Sequence, residues 1–276
     1  MKIILVPIDF SKASEKALIY AADLAKRLDG KIILFHSFHS YHTNAYASAK
    51  TMDHDVELAK RKSNKIMKTI WASVSEHFPV VPEMISSEHS MHDEIPGLIK
   101  EKKVDLVVMG TLGMGNRFEG LIFGTNTSWM VEKASCPVIA IPESSERLVM
   151  DEIVYASDYL NTDLDNLKSV AMLARLFDSK LTIVHVAREN NAKAETDKES
   201  FREKLTAMAG LPELNIKILK GNNVENTLEK YLSSEKVDLL VMSAQQRDLM
   251  DKLFGKSITR VMTLYLKVPL MVFHHK

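Results

Sequence analysis

The chain has 276 residues, 46% of them hydrophobic, and its 36 basic side chains balance 36 acidic ones. That length suits two average domains, and the zero formal charge argues against a protein built mainly to coat nucleic acid or an anionic membrane. A single cysteine, Cys136, excludes a disulfide within the chain, and no run of about 18 apolar residues is present to cross a bilayer.

In chain order, Ile3–Ile8 is a continuous apolar run, the pattern of a strand buried on both faces. Ser11 is placed to cap the following helix, in which Ser14, Ala17, Leu18, Ala22 and Ala25 fall at helical spacing. Gly30 is expected to stop that helix, and Lys31–Phe38 is the second strand. A polar loop leads to a helix over Val56–His77, a weaker strand over Val81–Ser86 and a helix over His92–Lys102. Val104–Met109 is a strand, Thr125–Lys133 a helix and Pro137–Ile141 a last strand. This βαβαβαβαβ order implies right-handed crossovers and an α/β fold: a five-stranded, mostly parallel sheet with helices on both faces. Ligands of such sheets sit at the carboxyl ends of the strands, near the switch in strand order. Asp9 and the loop after Met109 both lie at such ends.

The chain also repeats itself. The stretch beginning IILVPIDFSK at Ile3 aligns with EIVYASDYLN at Glu152, and a constant offset of 149 positions carries Asp9 onto Asp158, Asp29 onto Asp178 and His36 onto His185. VDLVVM at Val104 matches VDLLVM at Val237, and CPVIAIP at Cys136 matches VPLMVFH at Val268. Two tandem copies of one domain are expected, residues 1–144 and 150–276, joined through PESSERLVM.

Five of the ten glycines fall in GTLGMGNRFEGLIFGTNT, Gly110 to Thr127. A P-loop does not explain the glycine-rich pieces: Gly255-Lys256-Ser257 resembles its tail, but Met250 stands at the first glycine position. A dinucleotide fingerprint fails too, because Gly113-Met-Gly115-Asn-Arg-Phe118 lacks the third glycine and follows the fourth strand. From spacing alone, a phosphate cradle and a merely flexible connection stand equal. Glycine lets backbone N–H groups approach an anion, and Gly124, Thr125 and Asn126 precede or open a helix, whose N-terminus favours phosphate.

The order strand, Gly110-Thr-Leu-Gly113, ten residues, Gly124-Thr125, helix resembles the nucleotide loop of universal stress proteins, one residue longer than that family's usual nine. The first-strand ending VPIDFS, the strand VDLVVMG and the ending KASCPVIAIP carry the same resemblance, which covers the chain as a two-domain member. It implies a stress-response regulator that binds ATP, or ADP or AMP, with Mg²⁺. Asp9 would accept from the ribose hydroxyls, adenine would lie near Pro7, Ile8 and the backbone around Ser37 with Met109 beneath, and Arg117 would approach the terminal phosphate. It also implies pairing of the two domains through their last strands, Pro137–Ile141 and Val268–Phe273, a homodimer as a further assembly, and a regulatory protein partner that reads the nucleotide state.

The second copy reads SAQQRDLMDKLFGKSITR at the equivalent place, with Ser243, Gln246 and Lys256-Ser257 where the first has its glycines. It is expected to bind no nucleotide and to serve as the pairing partner. An anion smaller than a nucleotide, attracted by Lys256, is the competing reading of that loop. No catalytic base is evident; slow ATP hydrolysis, self-phosphorylation and a scaffold without nucleotide are the rival functions. On a strand the spacing of His36, His39 and His42 turns alternate members to opposite faces, so a compact metal site is not implied; a loop beyond Phe38 would allow ligation, and surface histidines are the expected reading. Cys136 has no His and Asp partner pattern and reads as a small buried apolar residue. The apolar run in MKIILVPIDFSK is too short for a signal peptide, so a cytoplasmic location is expected.

Overall fold

A computed structural model describes residues 2–38, 49–75, 81–111, 125–145, 148–207, 214–243 and 268–274. These fall into two compact units, the first ending at Leu148 and the second running from Val149. Each is described by itself.

The first unit alternates β1 (Ile3–Pro7), α1 (Lys12–Leu28), β2 (Lys31–Ser37), α2 (Ala49–Ser75), β3 (Glu83–Ser87), α3 (Met91–Glu101), β4 (Leu106–Gly110), α4 (Thr125–Lys133) and β5 (Val138–Ile141). Its strands lie in the order β3-β2-β1-β4-β5, and every pairing is parallel. The order reverses at β1, which pairs with β2 on one side and β4 on the other. Leu5 and Val6 of β1 and Val107 and Val108 of β4 are wholly buried, as the apolar runs require of central strands; each such side chain contributes about 1.5–3 kcal/mol.

α1 covers this region with small residues. Ala13, Ala17, Ala21 and Ala25 are all buried, and the absence of bulk lets the helix lie close to β4. Its C-terminus corrects one expectation. The left-handed residue is Asp29, with φ 50°, and the N–H of Gly30 returns to the Ala25 carbonyl at 2.8 Å. Aspartate tolerates this conformation because its short polar side chain bonds locally. The same turn recurs at Asp178, φ 54°, where Ser179 stands in place of glycine and donates to the Ala174 carbonyl at 2.7 Å. Helix termination therefore needs no glycine at this position.

Other boundaries move as well; β4, for one, begins at Leu106 and not at Val104. α2 begins at Ala49, seven residues before the apolar periodicity that first marks it at Val56. Val81 lies outside β3 and is 85% exposed, because Pro82 has no N–H to donate to a ladder. α3 begins at Met91 behind Ser90, whose Oγ accepts from the Asp93 N–H at 3.3 Å and donates to the Asp93 carboxylate at 2.7 Å.

The second unit comprises β6 (Glu152–Ala156), α5 (Asn161–Phe177), β7 (Lys180–Ala187), α6 (Ala194–Ala207), β8 (Asn215–Lys220), α7 (Val224–Ser234), β9 (Leu239–Ser243) and β10 (Leu270–Phe273). Its strands follow the order β8-β7-β6-β9-β10, all pairings parallel. The two sheets thus share one topology. They also share detail: Asp105 Oδ2 accepts from the N–H groups of Lys2 and Ile3 at 2.7 and 3.0 Å, and Asp238 Oδ2 accepts from those of Asp151 and Glu152, both at 3.0 Å. The aspartate of each VDL stretch thereby anchors the start of its unit's first strand.

Candidate functional site

Parallel strands end together, so the first unit brings its β1, β2 and β4 endings to one edge. Pro7 closes β1 opposite Phe35. Ile8 is buried, its N–H donating to the Phe35 carbonyl at 2.8 Å. Asp9 follows, half-buried, and its Oδ1 accepts from the N–H of Ser11 at 3.1 Å and from Ser11 Oγ at 2.6 Å. Ser11 Oγ in turn accepts from the Ser14 N–H at 3.2 Å, so one chain of bonds holds the Asp9 carboxylate and caps α1. Two residues that the sequence did not single out for this turn support it. Phe10 adopts φ 66°, and its ring lies 4.1 Å from that of His36. His36 Nδ1 is 2.6 Å from the Ile8 carbonyl oxygen.

β2 ends at Ser37, which pairs with Ser87 and donates from Oγ to the His89 carbonyl at 2.7 Å. Met109 is buried in β4, opposite Ala140. Gly110 ends the strand. A Cβ on Gly110 would stand 2.6–2.8 Å from the carbonyl carbon, carbonyl oxygen and Cβ of Ala13. Packing of α1 against β4 therefore requires this glycine, whatever approaches the edge from outside.

Thr125 opens α4 and Asn126 is exposed. Thr127, not anticipated from the sequence, is buried and donates from Oγ1 to the Gly110 carbonyl at 2.7 Å. That bond ties the first turn of α4 to the carboxyl end of β4. Thr127→Val keeps the shape and removes the donor, leaving a part-buried carbonyl with one partner fewer. A loss of about 1–2 kcal/mol is expected, read from thermal melts followed by tryptophan emission; an unchanged melt would deny the tie. Both tryptophans of the chain, Trp71 and Trp129, lie in the first unit and report on it. Gly113, Arg117 and Gly124 fall within 112–124, outside the described residues.

The same edge of the second unit is built differently. Asp158 is exposed, and Leu160 occupies the position of Ser11. The turn is held instead by Asp163, wholly buried. Its Oδ1 accepts from the Tyr155 hydroxyl at 2.8 Å, and its Oδ2 from Ser157 Oγ at 2.7 Å and the Leu160 N–H at 3.2 Å. Asn166 Nδ2 donates to the Tyr155 oxygen at 3.0 Å. Burial first, then the charge of Asp163, pushes the Tyr155 phenol above its ordinary range, so it stays protonated and donates. The corresponding residues of the first unit are Val6, Ile8, Ser14 and Ala17. Ser243, at the position equivalent to Gly110 in the repeat, is wholly buried at the end of β9; Gln246, Lys256 and Ser257 fall in 244–267, outside the described residues.

Elsewhere, burial and then the nearby Asp105 charge push the Cys136 thiol up to about 12, which keeps it protonated and unreactive at neutral pH. Among the described residues no group of three His, Cys, Asp or Glu is arranged to hold a metal ion; His39 and His42 lie outside them. No helix among the described residues is long and apolar enough to cross a membrane.

Comparison with known proteins agrees with this architecture. The model of the universal stress protein family matches residues 1–142. A universal stress protein of Methanocaldococcus jannaschii is 25% identical over 140 residues, 51% of this chain and 81% of that protein. Among solved structures, a universal stress protein from Archaeoglobus fulgidus superposes with a TM-score of 0.72 at 17% identity, covering 99% of this chain and 98% of the other. A protein described as a putative universal stress protein, from Pseudomonas aeruginosa, gives 0.60 at 14% identity, covering 99% and 93%. At these identities the structural likenesses speak for the fold.

Proposed function

Because the chain belongs to the universal stress protein family, we propose that its first unit binds ATP, or ADP or AMP, at the carboxyl edge formed by β1, β2 and β4. The observation that carries this reading is the convergence of two unlike features at the switch in strand order. Asp9 stands just past the end of β1 with Oδ1 tied to Ser11, a carboxylate of the kind that accepts from ribose hydroxyls. The end of β4 stands beside it, with the first turn of α4 tied there through Thr127. Free N–H groups and the dipole of that helix favour phosphate, and on sequence grounds Thr125 would add a hydroxyl. Gly113, Arg117 and Gly124 complete the proposed cradle on sequence grounds, while Pro7, Ile8, Ser37 and Met109 bound the adenine. Mg²⁺ would arrive bound to the phosphates, which take most of its coordination in such complexes.

The second unit is proposed to take no nucleotide and to act as the pairing partner of the first. The function is then nucleotide-dependent regulation in the cytoplasm. Binding changes the shape or assembly of the protein, and a partner protein reads the change.

Calorimetric titration of the nucleotide-stripped chain with ATP and Mg²⁺ tests this directly. One site per chain is expected, and Gly124→Val should remove it by putting a branched side chain among the phosphate donors. Two sites would overturn the asymmetry between the units. Absence of heat, with no shift in melting temperature, would leave a scaffold without nucleotide. Phosphate release above background that Gly124→Val abolishes would make the protein a hydrolase.

A further inference from the structure

We infer that His36 and Phe10 form a clamp that aims the Asp9 carboxylate at the sugar, so that His36 is a positioning residue for ribose recognition. The inference rests on the nucleotide reading above. At 2.6 Å from the Ile8 carbonyl oxygen, His36 Nδ1 must carry a proton, since a carbonyl only accepts. The bond is made across the sheet, from β2 to the residue immediately before Asp9. Ile8 is held a second time, through its own N–H to the Phe35 carbonyl at 2.8 Å. On the other side of Asp9, Phe10 sits at φ 66°, a left-handed conformation that a bulky side chain enters only when its surroundings compel it. The ring of His36 packs against it, with centroids 4.1 Å apart. One imidazole thus restrains both neighbours of Asp9, the preceding one by hydrogen bond and the following one by ring contact.

The second unit carries the same clamp. His185 Nδ1 is 2.8 Å from the Ser157 carbonyl oxygen, Tyr159 has φ 59°, and its ring lies 4.3 Å from that of His185. Asp158, between Ser157 and Tyr159, is exposed there. The two units therefore offer one clamp beside a proposed sugar site and one beside none, which separates positioning from simple support of the turn.

The experiment compares ATP with 2′,3′-dideoxyadenosine triphosphate, which lacks both sugar hydroxyls, on the full chain. The wild type should prefer ATP about tenfold, the scale of hydrogen bonds to a charged acceptor. His36→Ala should reduce that preference below about twofold by weakening ATP alone, with dideoxy binding unchanged. Asp9→Ala should do the same, and the double variant should do no more, because both remove one interaction. His36→Asn, which keeps a donor near the Nδ1 position, should restore most of the preference. Phe10→Gly accepts φ 66° without strain yet loses the ring, so it should lower the preference even if His36→Ala fails to fold. His185→Ala should lower stability and leave the preference intact. A wild type that binds ATP without sugar preference, or a His36→Ala variant that retains all of it, overturns the clamp while the nucleotide reading stands. A wild type that binds neither compound overturns both.

Discussion

Gly110→Ala is expected to destabilise the first unit by about 3 kcal/mol, the upper part of the range for overpacking. The added Cβ would stand 2.6 Å from the Ala13 carbonyl carbon and 2.7 Å from its oxygen, and backbone cannot swing aside as the end of a long side chain does. Either α1 lifts from β4 or the end of β4 moves, and both displace the edge on which Asp9 and the start of α4 stand. The melting temperature followed by tryptophan emission should fall by roughly 10 °C. ATP binding should weaken together with it, since Thr127 bonds the Gly110 carbonyl. A melt within about 1 °C of wild type would mean that α1 yields at little cost, and that the close approach of helix to strand is not tight. The first of these outcomes distinguishes Gly110 from a glycine kept only for phosphate, whose replacement would abolish binding and leave stability intact.

Asp163→Ala carries the other large effect, in the second unit. Three donors, the Tyr155 hydroxyl, Ser157 Oγ and the Leu160 N–H, lose their acceptor together. Tyr155, Ser157 and Asp163 are all buried, so water cannot readily replace the carboxylate. At about 1–3 kcal/mol for each unsatisfied buried group, and with partial relaxation, a loss of roughly 4 kcal/mol is expected. Urea unfolding of the full chain followed by far-ultraviolet circular dichroism measures it. Asp163→Asn preserves shape but turns an NH₂ group toward at least one donor, and should cost about half as much. A loss below about 1 kcal/mol for the alanine variant would show that the turn before α5 is held by something else. The network also gives the divergence of the two units a physical basis. In the first, the residues beneath the turn are apolar or small and the turn's own aspartate, Asp9, bonds to Ser11. In the second, a buried carboxylate takes over the turn and Asp158 is left at the surface.

Much of this was legible in the residues. The apolar runs at Ile3–Ile8 and Val104–Met109 read as strands buried on both faces, and Ser14, Ala17, Leu18, Ala22 and Ala25 at helical spacing read as a helix face. Two of the boundaries that moved did so for local reasons, Pro82 at β3 and the Ser90 cap at α3, which are themselves written in the chain. The constant offset of 149 positions marked the residues that later proved to make like contacts, among them Asp29 with Asp178 and His36 with His185. It gave no sign of what those contacts were.

The sequence by itself determined the order of strands and helices, the likeness of the two halves, and the strand endings at which Asp9, Ser37 and Gly110 stand. Periodicity and turn chemistry depend on near neighbours, and near neighbours are what a sequence displays. Only the tertiary structure decided what each of those residues touches. It assigned the missing Cβ of Gly110 to Ala13, the imidazole of His36 to the Ile8 carbonyl and the ring of Phe10, the hydroxyl of Thr127 to the Gly110 carbonyl, and the turn of the second unit to Asp163. Most of these contacts join elements far apart in the chain, and Asp163 reaches back across its own turn to β6. They depend on how closely a helix approaches a strand and on which groups are shut away from water, and those distances exist only once the sheet has formed.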